Sequence, residues 1–182
     1  MSAAEPAIVL VGPMGAGKTS IGRRVARSLH TTFTDTDRVI VREHGPIADL
    51  FLQHGEPYFR RLERDAVAES LARGGVVALG GGAVLDEQTR ARLLDHQVVL
   101  LTVAPHIVSS RVLGSHRPLL GGEDPSAEWR RIYAERLPVY RAVADITFDT
   151  SSGQLSEVVS RIAEWARSQS TLESRATLEE DR

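Results

Sequence analysis

The pattern of apolar and polar positions predicts five short β-strands, at residues 7–11, 32–36, 75–79, 97–103 and 146–149. The first, AIVLV, carries no polar side chain and stops at Gly12, as does a strand buried on both faces of a parallel sheet. Apolar residues then recur at helical spacing, because Ile21, Val25 and Leu29 lie four positions apart. Strands that alternate with helices predict an α/β fold, in which right-handed crossovers cover both faces of a parallel sheet.

The same pattern predicts further helices, at residues 39–43, 47–53, 56–72, 86–94, from 105 onward, 127–143 and 155–167. Pro138 is expected to disturb the helix that contains it, because proline has no N–H group to donate to the preceding turn. The segment at 113–125 is rich in glycine, proline and polar residues and is predicted to be a mobile loop. No sustained apolar face follows the last helix. We therefore predict one domain over 1–168 and a solvated, disordered tail over 169–182.

Composition narrows the possible functions. The chain has 182 residues, of which 42% are hydrophobic, and no cysteine, which excludes disulfides, thiolate metal sites and cysteine nucleophiles. Its 22 basic and 24 acidic residues give a net charge of −2, which provides no overall field to attract nucleic acid or an anionic membrane. No signal peptide pattern is visible, and no run approaches the roughly 18–20 apolar residues of a membrane span. We expect a cytoplasmic protein with no nucleic-acid or membrane partner.

The basic residues are unevenly divided, since 21 are arginine and only one, Lys18, is lysine. Lysine is a compact point charge on a slim stem, whereas arginine carries a broad planar fork. The site of Lys18 is therefore expected to require an ammonium group.

This lysine lies in the sequence GPMGAGKT at residues 12–19, which matches the phosphate-binding pattern G-x-x-x-x-G-K-[ST]. The segment follows a predicted buried strand and opens a predicted helix, as the motif requires. Its N–H groups are expected to form an anion nest at the helix N-terminus. Lys18 would reach the β- and γ-phosphates of a nucleotide, and the Thr19 hydroxyl would hold Mg²⁺. The guanine-reading pattern N-K-x-D needs a second lysine, and the H-R-D segment of protein kinases is missing, so a small-molecule kinase is favoured.

Two acidic residues close the second predicted strand, Asp35 and Asp37. In an extended chain, residues i and i+2 point the same way, so both carboxylates are expected to face the crevice at the carboxyl ends of the strands. One can support the Mg²⁺ shell, and the other can accept a hydrogen bond from a substrate hydroxyl. Without the phosphate loop, a solvated turn would be the favoured explanation of the pair.

A positively charged side chain and a backbone segment without side chains are predicted near the same crevice, at the carboxyl ends of the strands. Glu63 lies three residues after Arg60 on a predicted helix and can hold its guanidinium, which suits a carboxylate ligand. An ion pair on the helix surface is the alternative. Gly80, Gly81 and Gly82 end the third predicted strand and suggest a ligand that lies against the main chain.

Together these segments resemble the shikimate kinase family. The matching segments, in family order, are GPMGAGKTSIGRRVA, DTD, FRRLE, GGGAV, RPLL and ERLPVY, within a similarity over about residues 6–168. The resemblance implies a P-loop NTPase fold with a five-stranded parallel sheet in the order 2-3-1-4-5. It also implies an acceptor-binding segment at about 36–64 and a lid at about 113–125. The implied reaction is the ATP-dependent phosphorylation of the 3-hydroxyl of shikimate, in the route to chorismate and aromatic amino acids.

The resemblance also assigns residues to the ATP side. The loop residues implied to bind the phosphates are Gly15, Ala16, Gly17, Lys18, Thr19 and Ser20, with Lys18 also catalytic. Thr19 would coordinate Mg²⁺, with Asp35 acting through water. Arg111 would lie against adenine, and Arg117 in the lid would close over the transferring phosphate as a catalytic residue.

On the acceptor side, Asp37 is implied to bind shikimate hydroxyls and to take the 3-hydroxyl proton, which makes it catalytic. Arg60 and Arg136 would clamp the shikimate carboxylate, and the glycines at 80–82 would line the pocket. The expected partner is the small-molecule substrate, and the expected oligomeric state is a monomer.

Two other functions remain open from the sequence. Another small P-loop kinase, such as a gluconate kinase, would keep the phosphate loop but would not need the DTD, FRR and triple-glycine segments together. A nucleotide-binding module without catalysis would be expected to lack Lys18, Thr19 or Asp37, and all three are present.

The single lysine leads to a first prediction. Lys18→Arg is expected to lower kcat by about tenfold or more, because the wide guanidinium does not fit a tight phosphate nest. Release of ADP with Mg-ATP and shikimate measures this loss, and circular dichroism checks that the fold is kept. Near-normal turnover in the arginine variant would contradict the requirement for an ammonium group.

Overall fold

The computed structural model describes the backbone of residues 5–112 and 124–180, and the side chains of 5–108 and 124–171. Five parallel strands form one sheet in the spatial order β2-β3-β1-β4-β5, which confirms the expected order. The strands are β1 Ile8–Val11, β2 Phe33–Asp35, β3 Val76–Ala78, β4 Gln97–Thr102 and β5 Ile146–Asp149.

Helices cover both faces of the sheet, as the alternation of elements predicts. They are α1 Lys18–Ser28, α2 Thr36–His44, α3 Ile47–His54, α4 Glu56–Arg73, α5 Glu87–Leu93, α6 Pro105–Val112, α7 Pro125–Val143 and α8 Leu155–Glu180, with a 3₁₀ turn at Ala83–Leu85. No helix in the described part of the chain is long and apolar enough to cross a membrane.

The central strand β1 pairs in parallel with β3 on one side and with β4 on the other, so that Leu10 lies between Ala78 and Val99. All four β1 residues are buried, because apolar clusters cover both faces of the sheet. One cluster joins the sheet to α1, α6, α8 and the first part of α7, and the other joins it to α4, α5 and the last part of α7. The unbroken apolar run in β1 is thus explained by its position.

A third, smaller apolar cluster holds α2, α3 and α4 together. Its buried residues are Val39, Ile40, Leu50, Phe59 and Ala66. These helices span most of the segment predicted to bind the acceptor, and they form a lobe beside the sheet that has apolar packing of its own.

Two details differ from the sequence-based expectations. Helix α7 continues through Pro138, because buried side chains on both sides of the proline, Trp129 and Tyr140, keep the helix packed. Helix α8 continues to Glu180, although a disordered tail was expected after 168. Residues 168–180 contain no glycine or proline, so nothing in that sequence ends the helix. We still predict that removing these residues changes the kinetics little.

Close packing of α1 on the sheet leads to a stability prediction. A Cβ atom at Gly22 would lie 2.4 Å from a ring carbon of Phe33 and 3.1 Å from a methyl group of Leu10. Gly22→Ala is therefore expected to destabilise the fold by about 1–3 kcal/mol, although alanine favours helices. Chemical denaturation measures the change. Arg24→Ala, at an exposed position of the same helix, is the control and should be close to neutral.

Candidate active site

A cavity of about 710 Å³ opens at the carboxyl ends of β1, β2 and β3. Its walls come from the loop after β1, the start of α1, the α2–α4 lobe, the glycine turn after β3 and helix α7. The charged or hydroxyl-bearing side chains that line it are Lys18, Thr19, Ser20, Asp35, Asp37, Arg60, Glu63 and Arg136. The structure therefore brings the predicted phosphate loop and most predicted acceptor residues to one cavity.

The loop between β1 and α1 depends on glycine at its entry. Gly12 has φ 139°, and a Cβ there would lie 2.2 Å from the carbonyl oxygen of Leu101. Gly15 and Gly17 also have positive φ, at 82° and 87°. Gly17 is the N-cap of α1 without a side-chain hydrogen bond, which leaves the first turn of the helix facing the loop. This geometry is typical of an anion site.

The Lys18 ammonium lies over the same loop. It donates to the carbonyl oxygens of Gly12 at 2.7 Å and Pro13 at 2.9 Å. An ammonium group has three donors around one small atom, so it can approach two neighbouring carbonyls closely. The site of the single lysine is compact, as the sequence suggested.

Thr19 and Asp35 form the oxygen-rich corner of the cavity. The Thr19 hydroxyl donates to Asp35 Oδ2 at 2.6 Å, while Asp35 Oδ1 caps α2 by accepting from the N–H of Arg38 at 3.2 Å. A hydroxyl and a carboxylate are ligands that Mg²⁺ prefers, directly or through water. The two side chains therefore fit the metal site that the sequence suggested.

Asp37 reaches the cavity by a different route from the one expected. It lies in the first turn of α2 rather than in an extended strand, because the helix begins at Thr36 directly after β2. The buried Thr36 hydroxyl fixes this junction, since it donates to the Ala78 carbonyl at 3.4 Å and accepts from the Gly80 N–H at 3.1 Å. Both aspartates line the cavity, but the spacing argument for a strand was wrong.

The triple glycine brings these side chains against bare backbone. A Cβ at Gly80 would lie 2.5 Å from Asp37 Oδ1 and 2.8 Å from Glu63 Oε1, and a Cβ at Gly82 would lie 2.4 Å from Arg60 Nη1. At Gly81 the nearest atoms are 3.7–3.8 Å away, including Arg136 Nη1. Charged groups from three helices therefore meet at one turn.

Arg60 is held from two sides by carboxylates. Its Nη1 donates to Glu63 Oε2 at 2.6 Å, which confirms the predicted pair, and its Nη2 and Nε donate to Glu56 at 2.9 and 3.1 Å. Burial raises the pKa of Glu63, which is only 3% exposed, and nearby Asp37 adds to the rise while Arg60 opposes it. Burial acts against the charge on Arg60, but the two glutamates outweigh it and raise the arginine pKa.

Tyr140 links helix α7 to the glycine turn. Its hydroxyl donates to the Gly81 carbonyl and is also hydrogen-bonded to Arg136, one turn earlier on α7. Burial raises the pKa of Tyr140 to about 12, although Arg136 lowers it in part. The tyrosine therefore stays protonated at physiological pH and connects the predicted acceptor arginine to the glycine turn.

Two predicted residues are not located by the structure. Arg117 lies outside the described residues, as does most of the predicted lid, and Arg111 lies on α6 at a position whose side chain is not described.

Conversely, two side chains at the site, Glu56 and Tyr140, were not predicted from the sequence. Both lie four residues from a predicted arginine on the same helix, a spacing that could have identified them. It also missed the apolar wall of Pro46, Ile47, Ala48, Phe51 and Phe59.

Comparison with known proteins points to one family. A model of the shikimate kinase family matches residues 14–167. The shikimate kinase of Thermobifida fusca is 47% identical over 162 residues, covering 87% of this chain and 94% of that protein. The enzyme of Saccharopolyspora erythraea is 46% identical over 163 residues, covering 88% and 93%.

Solved structures with a similar fold include another member of the same family. Shikimate kinase from Acinetobacter baumannii, in complex with shikimate, superposes with a TM-score of 0.86 at 36% identity, covering 92% of this chain and 96% of that chain. A gluconokinase from Sinorhizobium meliloti has a TM-score of 0.60 at 22% identity, covering 94% and 97%, which shows a shared fold alone.

The buried tyrosine leads to a pH-dependent prediction. Tyr140→Phe is expected to lower stability by about 1–3 kcal/mol at pH 8, because the Gly81 carbonyl loses its donor. A raised pKa gives stability that is present below the unfolded value near 10 and is lost as the pH rises toward 12. The stability gap between wild type and variant should therefore narrow above pH 10. Denaturation at pH 8 and pH 11 measures the gap, and a constant gap would contradict the buried hydroxyl.

Proposed function

The chain belongs to the shikimate kinase family, and on that premise we propose that it transfers the γ-phosphoryl group of ATP to the 3-hydroxyl of shikimate. The product is shikimate 3-phosphate, on the route to chorismate and aromatic amino acids. One observation carries the assignment of the site: a phosphate loop and an acceptor wall of Asp37, Arg60 and Arg136 line the same cavity.

On the ATP side, we propose that the loop from Gly15 to Ser20, including Ala16 and Gly17, surrounds the phosphates with N–H groups. Lys18 would leave its loop carbonyls in part and bind the β- and γ-phosphate oxygens. Thr19 would hold Mg²⁺ with Asp35 through water, and the ion would neutralise phosphate charge when bound. Arg111 would lie against adenine.

On the acceptor side, Arg60 and Arg136 would bind the shikimate carboxylate through charge-assisted hydrogen bonds. Gly80, Gly81 and Gly82 would let the ring approach the main chain. Glu63 keeps Arg60 directed toward the turn, as their 2.6 Å hydrogen bond supports. The apolar wall opposite would exclude water from the ring face.

The transfer itself requires little covalent participation from the protein. The 3-hydroxyl oxygen forms a bond to the γ-phosphorus, the bond from that phosphorus to the β,γ-bridging oxygen breaks, and ADP leaves. Asp37 aligns the hydroxyl and takes its proton. Alignment and charge neutralisation supply most of the rate, because the transition state is loose. Arg117 would cover the transferring phosphoryl group as the lid, at about 113–125, excludes water.

We further propose that residues 1–168 form the kinase domain, with the acceptor segment at about 36–64. The α2–α4 cluster supports that segment as a structural unit. A cytoplasmic monomer without nucleic-acid or membrane partners remains part of the proposal.

The acceptor assignment predicts a selective loss of shikimate use. Arg60→Ala or Arg136→Ala should lower kcat/KM for shikimate roughly ten- to hundredfold, because each removes a charge-assisted contact. The double variant should lose less than the sum of the two, since both arginines act on one carboxylate. ATP binding, measured by calorimetry without shikimate, should stay within about threefold of wild type.

Arg61→Ala is the matched control, because Arg61 is the exposed neighbour of Arg60 and stacks on Tyr58 outside the cavity. It should leave both kcat/KM for shikimate and the affinity for ATP unchanged.

Asp37→Asn should lower kcat as well as shikimate affinity, because it removes the charge that holds the hydroxyl. A panel of hydroxy acids assayed for ADP release tests the substrate itself. Equal losses of ATP binding and acceptor use in the Arg60 and Arg136 variants would contradict the acceptor assignment and indicate that both arginines bind the nucleotide.

A further inference from the structure

We propose that Trp129 and Thr150 are positioning residues for the phosphate loop. They hold two loop carbonyls toward the protein core, so that the N–H groups of the same two peptides face the nucleotide. The inference rests on the proposed function only in taking ATP as the ligand of this loop. It concerns residues behind the loop, which do not line the cavity.

The first contact comes from α7. The indole Nε1 of Trp129 donates to the carbonyl oxygen of Met14 at 3.1 Å, across 115 residues of sequence. Trp129 is 3% exposed, and its ring packs against Tyr133 with centroids 4.9 Å apart. An indole N–H can only donate, so the packed ring presents a fixed donor to the back of the loop.

The second contact comes from the residue after β5. The Thr150 hydroxyl lies 3.0 Å from the carbonyl oxygen of Ala16 and 2.9 Å from that of Thr102, and Thr150 is 4% exposed. One hydrogen is shared between two acceptors, which places the hydroxyl between the end of β4 and the loop. Burial on this side leaves water no ready access to the Ala16 carbonyl.

Peptide geometry links these carbonyls to the cavity. In a trans peptide, the C=O of one residue and the N–H of the next point in opposite directions. Anchors on Met14 and Ala16 therefore direct the N–H groups of Gly15 and Gly17 away from the core. Both glycines line the cavity, whereas neither Trp129 nor Thr150 does.

Glycine makes such anchors necessary. The two anchored peptides are those that precede Gly15 and Gly17, whose φ values are 82° and 87°. Glycine adopts positive and negative φ almost equally well, so each peptide could flip at little cost and turn a carbonyl toward the phosphates. Donors fixed in the core oppose that flip. The loop thus keeps its backbone freedom for close approach while its orientation is set from behind.

The Thr150→Val variant tests the anchor with almost no change of shape. We expect the Kd for ATP and for ADP, measured by calorimetry without acceptor, to rise about three- to tenfold. The variant's kcat should also fall, and its KM for shikimate should stay within about twofold of the wild-type value. Thr150→Ser keeps the hydroxyl and should restore nucleotide affinity.

Ser70→Ala is the matched control. It also removes a fully buried hydroxyl bonded to a backbone carbonyl, that of Ala66 at 2.6 Å, but within α4. It should lower the melting temperature and leave nucleotide affinity unchanged. If folded Thr150→Val binds ATP like wild type and differs only in melting temperature, its role is structural and the proposal is overturned.

Trp129→Phe provides an independent arm, since it removes the indole donor and keeps an aromatic ring in the core. It should weaken ATP binding in the same range, whereas Trp165→Phe, on α8 against the same core, should not. Unchanged ATP affinity in folded Trp129→Phe would remove Trp129 from the proposal. Failure of the proposed function has a different signature: wild type would bind ATP but release no ADP with shikimate, and these binding comparisons would still decide the anchors.

Discussion

The parallel pairing of β1 with strands on both sides brings the main segments of the cavity to one edge of the sheet. Because neighbouring strands run in the same direction, β1, β2 and β3 end at one edge, and the segments that follow them meet there. The phosphate loop, the start of α2 and the glycine turn therefore converge without long connections. A residue behind the phosphate loop contributes as well, since Thr150, which directly follows β5, donates its hydroxyl to the Ala16 carbonyl.

The convergence of these segments costs energy because it places several charged side chains close together. Glu63 is almost fully buried beside another carboxylate, and its pKa is raised accordingly. A charge in that position is tolerated because Arg60 donates to it and because helices bring further polar groups to the same turn. These charged groups thus form a network, in which removing Arg60 would leave the buried Glu63 carboxylate without the guanidinium that donates to it.

The parts of the site that follow local rules could be predicted from the sequence. The phosphate loop is a contiguous motif, and the Arg60–Glu63 pair follows from helical spacing. Asp37 was assigned to the cavity for an incorrect reason, because Asp35, a favoured N-cap residue, begins the helix at Thr36 and ends the strand there. The hydrogen bonds that α7 makes to distant backbone carbonyls were not predicted. The bond from Tyr140 to Gly81 and that from Trp129 to Met14 depend on where α7 crosses the sheet, which the spacing within α7 does not reveal.

The glycine turn has a consequence for how this sequence can vary. Any missense change at Gly80 or Gly82 adds a carbon atom inside the contact distance of a charged side chain. At Gly81 the same atom would meet only ordinary van der Waals neighbours, and at Gly45 it would meet open space, where the positive φ is the remaining obstacle. Three adjacent and chemically identical residues are therefore under unequal steric constraint from the rest of the chain. A side chain at the middle position would meet no protein atom closely, although it would enter the cavity, whereas at its two neighbours the surrounding carboxylates or the arginine would have to move.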